Sequence, residues 1–292
     1  MEKVVLENFG GRTNYARRLA RVTDYIYEHL DEDIDLAVLA EVACLSPWHW
    51  HRIYHALHGE TVAATVRRLR LQRAAADLAN TTLAIEEIAR RARYEAVPSF
   101  SRAFRVAYGL SPAQYREQGG HARFGERRND AEAASYPIEI VRLPGLHLAA
   151  IGHVGSYMQI GQAFDRLFGT LASRGQIVPG LRSIGVYLDD PGVVPEERLR
   201  AQAGVVIDER FAMAPPLEPV AVCGGTYAVL HHKGPYADMR AACDWLFGEW
   251  VVRAGHEADD APVFEEYLNN PRDMPPTELR TDIYLKLREP LS

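Results

Sequence analysis

Apolar side chains over residues 15–116 recur at helical spacing, with short breaks. Leu19, Val22, Ile26 and Leu30 form one stripe. Asp35 is placed to N-cap the next segment, Leu36–Cys44, with Leu36, Leu39, Ala40 and Ala43 on one face. Ser46-Pro47 reads as a helix start, Ser as cap and Pro at the first helical position, for a helix running to about Leu57 and stopping at Gly59. A longer helix follows over Thr61–Leu78. Thr81 or Thr82 is placed to cap a short one over Ile85–Ala92. Pro98 opens another that ends at Gly109, and Ser111-Pro112 starts a last one through Tyr115. From Pro137 the texture changes to strand-like runs rich in Val, Ile and Tyr: IEIVRL, LHLAAIGHV, GVVID, YAVLHHKG and TDIYLKL. Helical stretches lie between them at 159–173 and 238–253. The sequence EQGGHARFGERRNDAEAAS, with adjacent glycines and mixed charge, separates the two textures. The expectation is a multi-domain chain: an all-α domain over 12–117, a linker over 118–135, and an α+β domain over 136–292.

Each half repeats itself. Ala40-x-x-Ala43 matches Ala89-x-x-Ala92 at an offset of 49; Arg52-x-Tyr54 matches Arg102-x-Phe104 and Gly59 matches Gly109 at 50. A short helix, a tight turn and a second helix therefore occur twice, joined by one long helix. Such helix-turn-helix units place their second helix in the major groove, and two on one connector span successive groove faces about 34 Å apart. In the second half His153-x-Gly155-x-Tyr157 matches His232-x-Gly234-x-Tyr236. Tyr187-Leu-Asp-x-Pro191 likewise matches Tyr267-Leu-Asn-x-Pro271, the offsets being 79 to 80. Two pseudo-symmetric strand-helix-strand-strand units fused into one sheet, with a ligand cleft between them, are expected.

Charge follows the same division. Residues 1–128 hold 19 Lys and Arg against 16 Asp and Glu, a net of +3; the remainder, 14 against 23, carries −9 of the total −6. Only the first half is suited to a phosphate backbone. The three cysteines, Cys44, Cys223 and Cys243, form no CxxC pair and suggest neither a disulfide framework nor a zinc site. With no apolar run of about 18 residues and no signal-peptide pattern at the start, a cytoplasmic location without membrane association is expected.

The motifs LSPWHWHRIYHALHGET and ARYEAVPSFSRAFRVAYGLSPAQYR resemble the AraC/XylS-type DNA-binding domain over about residues 20–117. HKGPYADM, FEEYLNNP and TDIYLKL resemble the GyrI-like effector-binding domain over about 136–290. The order of the modules is similar to the Rob-type arrangement. The resemblance implies reading helices at about 47–57 and 97–107, with Trp48, His51 and Arg52 facing bases in the first and Val97, Pro98, Ser101 and Arg102 in the second. It implies a promoter-binding regulator, an activator in contact with RNA polymerase, that needs no cofactor and responds to an amphipathic or cationic effector. The chain departs from the pattern in three ways. Cys44 and Arg93 stand where many members have Gly, at a strain of about 1 kcal/mol if left-handed. Trp50 stands where a core Leu is usual, and Val97 and Pro98 offer no hydrogen-bond donor.

The residues themselves suggest specific chemistry. Arg52 and Arg102 are equivalent in the two copies and suit bidentate pairing with guanine. His49, His51, His55 and His58 enrich one helix. His49 and His51 suit phosphate or base contact, and the His51/His55 pair has no third ligand in view that would make a metal site. Arg67, Arg68, Arg70 and Arg73 on the connector are either a phosphate-facing strip or a solvated face. In the second half, alternation puts Glu265 and Tyr267 on one face of a strand and Glu266 on the other. Glu265 also breaks the repeat, since the first copy has Gly185 there. A carboxylate on a cleft wall with aromatic neighbours Tyr157, Phe164, Tyr187, Trp245, Tyr267 and Tyr284 favours an apolar cation. The same carboxylate admits an alternative, general acid–base hydrolysis. No nucleophile–base set accompanies it, so a non-enzyme is expected.

Overall fold

The computed structural model describes residues 18–44, 54–55, 58–118 and 136–288. The Ser46-Pro47 helix start, Trp48, Trp50 and the expected DNA contacts His49, His51 and Arg52 lie outside the described residues, as does 119–135 of the expected linker.

The first half is helical: α1 over 18–28, α2 Leu36–Val42, α3 Val62–Asn80, α4 Ile85–Arg91, α5 Val97–Tyr108 and α6 Pro112–Gln118. Local chemistry sets most boundaries. The Asp35 carboxylate accepts from the Ala37 N–H at 2.8 Å, and Thr61 Oγ1 accepts from Ala64 N–H at 3.2 Å. Ser111 and Gln114 cap each other at the start of α6. Gly109, at φ 77°, ends α5 in the left-handed conformation. One cap is misplaced by the sequence reading. Thr81 closes α3, its hydroxyl donating to the Asp77 carbonyl at 2.6 Å, and α4 starts behind Ala84 without a side-chain cap.

The repeat is visible in the packing. Leu39, Ala40 and Ala43 are buried, as are Ile88, Ala89 and Ala92, and Tyr54 and Phe104 fill matching interior positions. Small residues let the short helix approach its neighbour closely, and an aromatic ring fills the space beyond. Directly after each pair of alanines the chain turns through a left-handed residue, Cys44 at φ 50° and Arg93 at φ 62°. The basic strip on α3 is neither solvated nor free for phosphate at three of its four positions. Arg68 pairs with Glu60, Arg70 donates to the Leu30 and Glu32 carbonyls, and Arg73 to the Arg91 carbonyl and Asp31. Arg70 and Arg73 thereby tie α3 to the loop between α1 and α2 and to the end of α4.

The second half is one eight-stranded antiparallel sheet. Its strands are β1 Ile138–Leu143, β2 Leu146–Val154, β3 Ser183–Tyr187, β4 Arg200–Val206, β5 Glu218–Val222, β6 Gly225–Lys233, β7 Val263–Tyr267 and β8 Arg280–Lys286. Helix α7, Gly161–Ser173, follows β2; α8, Met239–Trp245, follows β6 and continues through a π-turn, Leu246–Trp250, to Ala254. The order is β1-β6-β8-β7-β3-β4-β2-β5. Each stretch of about 80 residues thus supplies four strands rather than three. The sequence reading left out β5, whose Pro219 is tolerated because β5 is an edge strand. Alternation sorts the core. Ala149, Ile151, Ala203 and Val205 pack under α7, and Leu230, Ile283 and Leu285 under α8. Leu148, Ile184, Tyr227, Phe264 and Tyr284 form the cluster on the opposite face. Among the described residues no helix is long and apolar enough to cross a membrane.

The left-handed turn residues carry a testable strain. Cys44→Gly is expected to raise stability by up to about 1 kcal/mol, and Cys44→Val to lower it, since only glycine adopts φ 50° freely. Urea midpoints at unchanged m-value check both; equal midpoints for the three proteins would refute the strain.

Candidate functional site

The centre of the sheet is the seam where β3 meets β7, with Gly185 opposite Glu265 and Ser183 opposite Tyr267. Period-2 alternation then puts Gly185, Tyr187, Glu265 and Tyr267 on one face. The Tyr187 and Tyr267 hydroxyls both donate to Glu265 Oε2, at 2.8 and 2.7 Å, and stand 2.5 Å from each other. Gly185 makes this arrangement possible: a Cβ there would lie 3.1 Å from the Tyr267 hydroxyl and 3.3 Å from that of Tyr187. The glycine in one copy is the room for the acid of the other.

Glu265 is only 7% exposed. Burial pushes its carboxyl up to about 7, against the two tyrosine hydrogen bonds, which favour the ionised form and pull it down. Burial also raises both tyrosine hydroxyls well above their usual range, with the neighbouring carboxylate adding to the effect, so they stay protonated donors. Aromatic rings complete the wall. Phe164 and Tyr236 meet Tyr267 edge-on at 5.3 and 5.6 Å, and Tyr157 meets Tyr187 edge-on at 4.7 Å. Tyr157 is held by the Asp189 backbone, donating to its carbonyl at 2.8 Å. These residues line a cavity of about 2210 Å³ that α3 of the helical half also borders, through Leu69, Gln72 and Ala76.

Five of the seven expected cleft residues are therefore together: Tyr157, Phe164, Tyr187, Glu265 and Tyr267. Tyr284 and Trp245 are not among them. Tyr284 is in register with Phe264, one residue from Glu265 and so on the other face, where its hydroxyl donates to Glu266 at 3.2 Å. Glu266 also holds Arg182 through two bonds of 2.6 and 2.7 Å. Trp245, the last residue of α8, is buried in the core with Met239, Leu246 and Ile283. The sequence reading missed Tyr236, Phe168 and Cys243, which line the cavity. Tyr236 had a signal, because the repeat pairs it with Tyr157; the side of α8 that Cys243 takes had none.

In the helical half, Phe100, Phe104 and Tyr108 are the buried stripe of α5. Pro98 and Arg102 are exposed and Ser101 half-exposed. Val97 differs from the expectation: it is half-buried against the core. Arg105 and Val106, one turn beyond Arg102, extend the exposed face, Val106 being 84% exposed. No group of three metal-ligating side chains occurs among the described residues.

The raised Glu265 carboxyl fixes a sign. An unfolded glutamate titrates near 4.5 and the folded one near 7, so its contribution to stability is full below pH 4.5 and declines as pH rises through 7. Glu265→Gln keeps the tyrosine acceptor without the charge. It is expected to match the parent at pH 4.5 and to exceed it at pH 8 by on the order of 1–3 kcal/mol. Urea titrations at both pH values check this; parallel pH profiles would refute the buried carboxylate.

Comparison with known proteins agrees with this division. Residues 136–288, a little over half of the chain, match the model of the GyrI-like small molecule binding domain, and residues 39–118 match a helix-turn-helix domain. The transcriptional regulator Rob of Salmonella typhimurium is 33% identical over 99 residues, 34% of this chain and 34% of that one. The match thus spans about a third of this relative. The DNA gyrase inhibitor of the same organism is 34% identical over 114 residues, 38% of this chain and 72% of the inhibitor. The regulatory protein SoxS, also from Salmonella typhimurium, is 30% identical over 95 residues, 32% of this chain and 89% of SoxS. The chain belongs to the GyrI-like family of small molecule binding domains, joined here to an AraC-type helix-turn-helix domain.

Proposed function

We propose that this protein is a sequence-specific DNA-binding transcription regulator, an activator contacting RNA polymerase, that responds to an amphipathic cation seated at Glu265. The observation that carries the reading is the buried carboxylate, walled by aromatic rings, in a domain joined to paired helix-turn-helix units. A desolvated carboxylate strongly favours a partner of opposite charge, and aromatic faces add cation–π attraction. The domain division is 12–117, 118–135 and 136–292. The second domain descends from two copies of one unit, which the 79-to-80-residue offsets support. The DNA contacts are Trp48, His49, His51 and Arg52 in the first unit, and Pro98, Ser101 and Arg102, extended by Arg105 and Val106, in the second. Val97 supports that helix from inside. An effector acts here by binding one arrangement of the two halves more tightly than another.

Benzyltriethylammonium, aromatic at one end and cationic at the other, tests the cleft. Its affinity is expected to rise about tenfold from pH 6 to pH 8, as the fraction of ionised Glu265 rises through its midpoint near 7, and to be weak and pH-independent in Glu265→Gln. Isothermal titration at the two pH values reads this; binding that ignores both pH and the substitution would remove Glu265 from the site. Incubating parent and variant with ester substrates separates the hydrolytic alternative, which requires product formation lost in Glu265→Gln.

Binding to the gene's own promoter region is expected to weaken steeply with salt. Arg102→Ala is expected to lose about 1–3 kcal/mol and relax base preference at one position if its contact is bidentate, or to lose affinity uniformly if it holds phosphate. Fluorescence anisotropy on a panel of single-base operator variants distinguishes these; unchanged affinity and preference would take Arg102 off the reading face.

A further inference from the structure

Arg272 lies in the turn after β7, five residues beyond Tyr267. The turn is tightly braced. Asn270 Oδ1 accepts from the Arg272 N–H at 3.0 Å, and the Asn270 carbonyl accepts from the N–H groups of Asp273 and Met274 at 3.1 and 3.2 Å. The Asn269 amide spans to the Glu278 carbonyl at 2.9 Å and the Arg280 N–H at 3.0 Å. From this base the guanidinium reaches two other parts of the molecule. Nη2 donates to Asp165 of α7 at 2.5 Å. Nη1 donates to the carbonyl of His58 at 3.2 Å and to its Nδ1 at 2.9 Å, and Nε lies 3.5 Å from Glu60. Arginine has only donors, so His58 must offer a lone pair at Nδ1 and carry its proton on Nε2. Burial, and then Arg272, hold the His58 ring neutral, with its pKa lowered to about 4. Glu60 in turn takes two bonds from Arg68 of α3, at 2.7 and 3.3 Å. Two cations and two carboxylates thus balance in a cluster where Arg272, Asp165 and Glu60 are only 12–15% exposed.

Each end of the cluster belongs to an element that the proposed function uses. α7 turns Phe164 to the cleft, edge-on to Tyr267, while the adjacent Asp165 takes the Arg272 guanidinium. His58 and Glu60 immediately precede α3, the connector between the helix-turn-helix units. Arg272 itself is carried by the strand that bears Glu265 and Tyr267. Asp24 takes Gln162 and Arg166, both of α7, and Tyr115 donates to Asp238; each of these contacts holds one element to one element. Arg272 alone among the described contacts joins both cleft walls and the helical half at one group. The repeat marks it as it marks Glu265. Arg272 stands where the first copy has Gly192, with Tyr187/Tyr267 and Pro191/Pro271 matched before it.

We propose that Arg272 is a positioning residue that couples the cleft to DNA binding, by clamping α7 and the post-β7 turn to the start of α3. The proposal rests on the reading of the cleft as the effector site. A ligand entering between Phe164 and Tyr267 loads the two walls whose separation Arg272 measures. A buried charge cluster is satisfied in one geometry and fails outside it, so the clamp either holds or releases, and its release frees His58 and leaves Glu60 to Arg68 alone.

The test uses the full chain and two variants, Arg272→Gln and Asp165→Asn, with folding checked by circular dichroism. Promoter affinity is measured with and without saturating benzyltriethylammonium. In the parent the probe is expected to change promoter affinity at least fivefold. In both variants that factor falls to within twofold of one, while the probe's own affinity stays within threefold of the parent. A variant that keeps the parent factor, or a parent that binds both probe and promoter with a factor of one, overturns the coupling. A parent that binds no probe or no promoter overturns the effector reading instead. Hydrogen exchange without any ligand tests the clamp itself. Arg272→Gln is expected to speed exchange at least tenfold in both α7 and the first turns of α3, leaving β7 unchanged. Faster exchange confined to 268–280 overturns the clamp even if the probe proves wrong.

Discussion

The register of β3 against β7 is the constraint on which the cleft depends. It sets Gly185 opposite Glu265, so that the missing Cβ of one residue makes room for the carboxylate and two tyrosine hydroxyls. A slip of one residue would carry Glu265 to the face of Phe264 and Tyr284 and bring Glu266 into the cavity. Strong side-chain demands on both faces oppose such a slip. Glu266 is tied to Arg182 and Tyr284, and Phe264 stacks on Tyr284 at 4.3 Å. Adjacent acids thus serve opposite ends: one is paired and fixes the register, and the other is left with hydroxyl partners only and is free to titrate.

The helical half solves a different packing problem with repeated means. A short helix must lie close to its partner and then reverse within two residues. Alanines at 40, 43, 89 and 92 supply the close approach, and the left-handed Cys44 and Arg93 supply the reversal. Arg93 also pairs with Asp33, tying the second turn to the loop ahead of the first short helix. Together with Arg68, Arg70 and Arg73, this uses basic side chains to fix the geometry of the two units. On α5, by contrast, Arg102 and Arg105 are exposed. The modest net charge of this half therefore says less about phosphate contact than the placement of a few arginines does.

The halves meet through a few polar contacts, Arg272 with His58, Asp24 with Gln162 and Arg166, and Tyr115 with Asp238. Asp165 and Glu60 are carboxylates held in largely buried positions at this junction, Asp165 paired with Arg272 and Glu60 with Arg68, and Arg272 Nε approaches Glu60 at 3.5 Å. Removing one partner would strand a buried charge, which is far more costly than losing an exposed pair. Polar groups at a few points thus mark where the halves meet, beside a cavity that they border together with the aromatic rings around Glu265.

Much of this was legible in the sequence. The period of apolar residues changes near Pro137, and the helix starts at Asp35 and Ser111 lie in local sequence, because helix starts and strand alternation are decided within a few residues. The 80-residue repeat marked Glu265 by its mismatch with Gly185. Tertiary structure decided what depends on partners far along the chain. Pairing with Phe264 took Tyr284 out of the cleft, and the packing of α8 buried Trp245. The connector arginines became staples because carbonyls and acids some 8 to 40 residues away lay within their reach. Arg272 acquired its role only when folding brought His58, 214 residues distant, to its guanidinium. A sequence states which residues can donate or accept; only the packed chain assigns the partner, since hydrogen bonds and ion pairs act over a few ångströms.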